Sequence, residues 1–521
     1  MKLISAESVI TSAGRVGDAV LVDGGRIVQV GARGELLRSD MAEERYPGSC
    51  IIPGLRDAHI HVVPYAGLLS GCSLKAATSI DDLVGRLADF ARRRSMDESV
   101  VATRFDDESL AERRLPTRID LDRAVPNRPA VIYRYCGHIA VANSMALAAS
   151  GITEHTADPE GGTIDRDETG LPTGVLRETA AGLIGPALSR GGTLDPDALV
   201  SALEGLASMG ITSVGAMIGY GESPSEKLEA EIELWRTIAR RLPIRVHGMV
   251  ITDSPDRLEW AADVLSTSGP RLRWLGVKRF ADGSLGGHTA AMREPFADVD
   301  GLGTYRLTAA DESIARRSVE MGGVAAIHAI GDRAVSGVLD TFERLIADGA
   351  EPAALRMEHV SIIDPPLLER FARLGVTAVI QPAFLASENQ WVTARVGPER
   401  EAWVYPFRSM QQLGIPMAGS SDCPVEPPHP LWGMAAAIDR YGITPTEALD
   451  PLTALDLFTV GGARTLREPP PLSVGSPADL VILDVDPSAG SARTIRDAVV
   501  LDTYVDGDVV EVDRSLPTWV D

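Results

Sequence analysis

Asp195–Met217 reads DPDALVSALEGLASMGITSVGAM, and this stretch carries the repeating unit from which most of the chain is built. Leu199, Leu203 and Leu206 recur at helical spacing, Gly210 suits a helix C-cap, and ITSVGAM follows as an apolar strand. The same succession of helix, glycine and strand returns at Pro224–Val250, Ala310–Ile330, Pro365–Gln381 and Glu401–Gly419. Strands alternating with helices over this length predict an α/β fold, and a (β/α)8 TIM-like barrel fits the count best. A doubly wound open sheet is the alternative, weakened because no G-x-G-x-x-G follows an early strand.

Outward from the repeat, the two chain ends resemble each other. LVDGGRIVQV at Leu21–Val30 and YVDGDVVEV at Tyr504–Val512 both alternate apolar residues around an Asp-Gly turn, and ADLVILDVD at Ala478–Asp486 adds a strand. Neither end holds enough strands to bury a face alone, so both are expected to join in one small β-sandwich domain, residues 1–54 with 466–521. The barrel then takes residues 55–72 and 191–465. His61 and Ile211 stand 150 residues apart, against roughly 30 per βα unit. An insert, residues 73–190, is therefore expected after the first strand, as an α/β segment roofing the barrel mouth.

With 50 Lys and Arg against 73 Asp and Glu, the formal charge is -23, which opposes nucleic acid and anionic membranes and leaves a small molecule as the expected partner. Nothing in the sequence excludes a homodimer. No apolar run approaches a membrane span, and the apolar part of MKLISAESVITSAG is too short for a secretory signal, so the cytoplasm is the expected location. Cys50, Cys72, Cys136 and Cys423 form no C-x-x-C pair and read as reduced thiols.

His59 and His61 lie in IIPGLRDAHIHVVP, Ile51–Pro64, a short buried strand between prolines. Residues two apart on a strand share a face, so the pair suits metal chelation, although taken alone it reads better as hydrogen-bonded core or interface histidines. Other apolar runs end near Lys278, His328, His359 and Asp422. His328 and His359 are 31 residues apart and Asp422 follows 63 later, one and two βα units. That register places the His pair on strand one, Lys278 on four, His328 on five, His359 on six and Asp422 on eight, all at the C-terminal mouth. Imidazoles with a carboxylate suit Zn2+, with Mn2+, Fe2+ or Co2+ as substitutes and one or two ions. Lys278, carboxylated, would bridge two ions; alternatively it pairs with Asp282. Asp422 is positioned to act as general base and then acid.

H-x-H, V-K-R-F-A-D-G-S-L-G, H-A-I-G-D-R-A, R-M-E-H and G-S-S-D-C-P-V-E-P-P together resemble the amidohydrolase superfamily, specifically its YtcJ-like branch, amidohydrolase family 3. The likeness runs over nearly the whole chain, through G-H-I-A-V-A-N-S at Gly137–Ser144 and GLPTGVLRE at Gly170–Glu178. It implies a metal-dependent barrel hydrolase with a composite terminal β-domain. By motif it carries over His59, His61, His328, His359 and Asp422 as ligands, Asp422 as base, and Lys278 as the carboxylated bridge. His288 stands where family members often carry arginine and Cys423 where alanine is common, which bears on substrate preference.

The expected activity is cleavage of a C–N bond in an N-substituted formamide, N-acyl amine or cyclic amide by metal-activated water. An esterase on the same site is the alternative, and a non-catalytic binding protein on the same scaffold a further one. Asp282, His288 and Trp391 are candidate substrate-binding residues. His138 reads either as a substrate-polarising or as a loop-ordering group, Phe384 and Trp391 as pocket or loop-pinning aromatics, and His247 as a satisfied core histidine.

Overall fold

The computed structural model describes residues 1–521 except 40, 108, 135–138, 160–161, 186–194, 220–224 and 513–521. His138 and Cys136 lie outside the described residues. Eight parallel strands pair in chain order: Leu55–Ile60, Ile211–Ile218, Arg245–Val250, Leu272–Phe280, Val324–Ala329, Leu355–His359, Thr377–Ile380 and Met417–Gly419. The seam between the eighth and the first is closed just beyond them, where Asp422 N–H donates to the His59 carbonyl (2.9 Å) and His61 N–H to the Cys423 carbonyl (2.8 Å). This is the TIM-like barrel that the alternating pattern predicts.

The repeating unit folds as its pattern dictates. In the helix Pro196–Ser208, Leu199, Leu203 and Leu206 are buried, and every residue of the following strand is buried, as befits parallel strands covered on both faces. Gly210 has φ +84°, the left-handed conformation that ends a helix without a Cβ clash. The helix Pro365–Leu374 shows both punctuation marks: Asp364 accepts the Leu367 N–H at its start, and left-handed Gly375 closes it.

The chain ends form one continuous seven-stranded sheet, ordered Asp508–Val509, Val500–Val505, Leu480–Leu483, Ala42–Pro53, Lys2–Thr11, Gly14–Asp23 and Arg26–Gly31. Both Asp-Gly hairpins are present, and Leu480–Leu483, antiparallel to Ala42–Pro53, joins the C-terminal half to the N-terminal half. The sheet and the barrel fall in one compact unit. Thr503 Oγ1 donates to the Ala207 carbonyl (2.7 Å) and Gly54 N–H to the Asp479 carbonyl (2.8 Å), so hydrogen bonds cross the division drawn at residues 54 and 466.

The second compact unit is Pro64–Ala198 with Gly286–Thr289. It has its own six-stranded sheet and its own apolar core, around Leu83, Leu87, Phe105 and Leu121. It begins before residue 73 because Cys72–Ser73 already pairs with Val100–Phe105. Among the described residues no helix is long and apolar enough to cross a membrane.

At the N-terminal end of the barrel, Glu468 gathers three strands. It accepts Arg56 Nε (2.8 Å) from the first, Ser213 Oγ (2.6 Å) from the second and pairs with His247 Nε2 (2.9 Å) on the third, which makes His247 a satisfied core histidine. Burial pushes the Glu468 carboxyl up, but Arg56 and His247 outweigh it and hold it well below the usual carboxylate range. A carboxylate depressed in the folded state contributes stability that is complete above its unfolded pKa, about 4.3, and is lost as pH falls below that value. Glu468→Gln strands the buried Arg56 charge and should cost about 3–5 kcal/mol. Denaturant unfolding at neutral pH should show that loss, and the difference from wild type should shrink as pH is lowered through 4.

Candidate metal centre

The C-terminal rim gathers side chains from strands one, five, six and eight. His59 Nε2 lies 3.2 Å and His61 Nε2 3.3 Å from Asp422 Oδ1. His359 stands beside them, its ring centroid 5.2 Å from that of His59. One donor atom each from His59, His359 and Asp422 falls within a mutual 4.8 Å. His328 packs against His359 with centroids 4.4 Å apart, and its Nε2 donates to the Gly283 carbonyl at 2.9 Å. Five side chains that the spacing assigned to one rim are thus together.

Each central histidine is oriented by a partner on its far nitrogen. His59 Nδ1–H donates to Glu358 Oε2 (2.6 Å), and Glu358 in turn accepts Arg356 Nε (2.5 Å) inside the barrel. His359 Nδ1–H donates to Gln381 Oε1 (2.8 Å), and Gln381 Nε2 donates to Ser420 Oγ (2.9 Å), which donates to the Ile380 carbonyl. Both rings are therefore held with Nε2 presented to the centre, the arrangement by which a second partner orients a metal-binding imidazole. Asp57 fixes the seam beneath them, accepting the backbone N–H groups of His59 and Ser421 (each 3.1 Å) and the Ser421 hydroxyl.

Electrostatics follow from this crowding. Burial, reinforced by His328, drives His359 well below the ordinary imidazole value, so it is neutral and its lone pair is available. Burial pushes Asp422 up, yet His59 and His61 outweigh it and keep the carboxyl ionised. Glu358 is likewise held low, by Arg356 and His59 against its burial. Lys278 is 1% exposed, and burial lowers its ammonium to about 8. Its Nζ sits 4.1 Å over the Phe280 ring. The alternative Lys278–Asp282 pair is not formed. Asp282 instead accepts the N–H groups of Ala291 (2.8 Å), Ile330 (3.1 Å) and Gly331 (2.8 Å), and so builds the turn after strand five.

Phe384 stacks on His359, with centroids 6.3 Å apart and an 8° interplanar angle. Trp391 is half-buried against the barrel core with the Arg395 guanidinium 5.1 Å over its ring. Cys423 is fully buried, as a packing residue should be. His288 belongs to the Gly286–Thr289 segment of the second unit and has φ +53°.

Sequence reading passes over Glu358, Gln381 and Asp57. Alternation puts Glu358 and His359 on opposite faces, but His359 (φ +73°) and Val360 (φ +50°) are both left-handed, so the strand turns at its last residue and alternation fails there. The usable signal was Arg356 and Glu358 two apart within an apolar run, the mark of an ion pair on one strand face.

Two imidazoles and a carboxylate with donor atoms within a mutual 4.8 Å, neutral His359 and ionised Asp422 among them, fit a divalent cation by donor chemistry. Glu358→Gln and, separately, Gln381→Leu should each weaken divalent-metal affinity about 10–100-fold. Competition with a chromogenic chelator reads this directly; unchanged affinity in Gln381→Leu would show that the His359 partner has no orienting role.

The family described as the amidohydrolase family matches residues 48–511. The YtcJ protein of Bacillus subtilis is 29% identical over 95% of this chain and 96% of its own. The N-substituted formamide deformylase of Arthrobacter pascens is 29% identical over 95% of each chain. A crystal structure described as an uncharacterized metal-dependent hydrolase from Pyrococcus furiosus superposes with TM-score 0.74 at 29% identity, covering 93% of this chain and 100% of that one. With that match running from the terminal sheet through every strand of the barrel and its histidine-lined rim, the chain belongs to the amidohydrolase family.

Proposed function

We propose that this protein is a divalent-metal hydrolase that cleaves the C–N bond of an amide-like small molecule, such as an N-substituted formamide, an N-acyl amine or a cyclic amide. The observation that carries the reading is Asp422, ionised and within 3.2 and 3.3 Å of two imidazoles at the barrel rim. The relative named N-substituted formamide deformylase supports the bond type, since it is similar over nearly the full length.

His59, His61, His328, His359 and Asp422 would hold the ion, with Lys278, as its carbamate, completing a two-ion site. The chemistry that zinc, or manganese, iron or cobalt in its place, supplies when bound is Lewis-acid polarisation of a carbonyl and acidification of water. Asp422 takes a proton from the attacking water through its carboxylate and returns it to the departing nitrogen, which leaves as a neutral amine. The Glu358 carboxylate and the Gln381 amide keep both central imidazoles from swinging as charge shifts at Asp422. Phe384, stacked on His359, excludes water from that side.

Hydrolysis should be screened over formamides, N-acyl amines, cyclic amides and esters, with metal content measured in parallel. The expected result is turnover of an amide class, abolished by chelation and restored by added Zn2+ or Mn2+. Asp422→Ala should lower kcat about 10²–10⁴-fold, the usual contribution of general acid–base catalysis. Turnover confined to esters would replace the C–N reading, and full activity in Asp422→Ala would overturn the role of Asp422.

A further inference from the structure

At the opposite rim from the histidines, a cavity of about 400 Å³ is lined by Arg26, Arg240, Arg245, Arg271, Arg273 and Asp506, among others. Arg245 opens the third barrel strand, while Arg271 and Arg273 flank the first residue of the fourth. Arg240 follows the helix Ser225–Ile238, and Arg26 opens a strand of the terminal sheet. In a chain of formal charge -23 this is a concentrated positive site.

The five arginines divide into two groups. Arg245 and Arg271 are committed to structure: Arg245 is bound by Asp479 and Asp506, and Arg271 reaches Asp506 (2.9 Å) and the carbonyls of Leu242 and Pro243 (3.0 and 3.1 Å). The others have no carboxylate partner among the described residues. Among the described residues Arg26 donates only to the Gly475 carbonyl (2.7 Å), and the side chains of Arg240 and Arg273 have no hydrogen-bond or ion-pair partner. Asp479 and Asp506 therefore leave three guanidinium charges uncompensated around one hollow. Like charges so grouped repel, and nothing in the fold requires Arg240 or Arg273 to be there, since both are exposed and neither closes a buried contact.

We propose that this cavity binds a small oxyanion carrying two negative charges, whether phosphate or a dicarboxylate. Guanidinium forks offer paired N–H donors that match either group, and the volume lies within the range of small-molecule sites. Arg240 and Arg273 supply the free donors, and Arg26 adds a third from the terminal sheet, so the bound anion ties that sheet to the barrel at a point remote from the metal centre.

The test is calorimetric titration of the full-length, metal-loaded protein with inorganic phosphate in one arm and succinate in the other, at low ionic strength. Saturable binding is expected in at least one arm, and which arm responds identifies the anion. Arg240→Gln/Arg273→Gln should weaken binding at least about tenfold, while Arg38→Gln, an exposed arginine elsewhere, and His359→Ala should leave it unchanged. No saturable binding by about 10 mM in either arm would overturn the proposal. So would equal weakening by Arg38→Gln, which indicates diffuse attraction, or loss in His359→Ala, which moves the anion to the metal centre. Far-ultraviolet circular dichroism on each variant separates loss of the site from loss of fold.

Discussion

The barrel must close between its first and eighth strands, and the hydrogen bonds that close it also build the site. Asp422 N–H to the His59 carbonyl and His61 N–H to the Cys423 carbonyl are backbone bonds at the seam. They bring Asp422, the one carboxylate among the described residues that pairs with two imidazoles, against the H-x-H pair without relying on any side-chain choice. Asp57 reinforces the same seam from below, and burial raises its carboxyl to about 6 despite the bonds from Ser421 and His59. A buried carboxyl that is hard to ionise still accepts hydrogen bonds well. Here it fixes the two chain segments at the point where separation by even one bond length would scatter the ligands.

Above the seam, orientation depends on charges placed in the barrel interior. Arg356 and Glu358 are both within 1% of full burial, and desolvating such a pair rarely yields net stability over an apolar core. Their value lies elsewhere: Glu358 faces His59 Nδ1, so the pair fixes which imidazole nitrogen points at Asp422. Gln381 performs the same task for His359 without charge, and is itself aligned through Ser420 to a strand carbonyl. One histidine is oriented by an ionic partner and the other by a neutral amide. That difference accords with their electrostatics, since His59 is drawn upward by Asp422 and Glu358 against burial, while His359 is driven down.

Periodicity and spacing made the barrel, the terminal hairpins and the rim positions legible, because a βα unit has a nearly constant length and His328, His359 and Asp422 fall at multiples of it. Spacing fixes where along a strand a residue sits, not which way its side chain turns once the backbone leaves the strand. Glu358 was therefore hidden by the assumption that its neighbour His359 obeys alternation. Asp282 was misleading for a related reason: an aspartate after a lysine-bearing strand suggests an ion pair, whereas Ala291 of the following loop and Ile330 and Gly331 after the fifth strand offer it three backbone N–H donors instead. The extent of the second unit depended on a two-residue strand, Cys72–Ser73, too short to register in any pattern.

Three residues at the rim are left-handed. His359, Val360 and Asp422 all have positive φ, and for a β-branched residue such as Val360 that conformation is a genuine outlier. Such positions cost of order 1–3 kcal/mol each and persist only where surrounding contacts over-determine them. Those contacts are visible: Val360 is fully buried and its N–H is bonded to the Ala329 carbonyl, while the Asp422 N–H is bonded across the seam. The barrel core thus holds three residues in conformations that the chain alone would avoid. The result is that side chains from adjacent positions both serve the centre: His359 enters it, while Glu358 holds the far nitrogen of His59. A regular strand would present only one of them, and an imidazole would then face the centre without the carboxylate that aligns its neighbour.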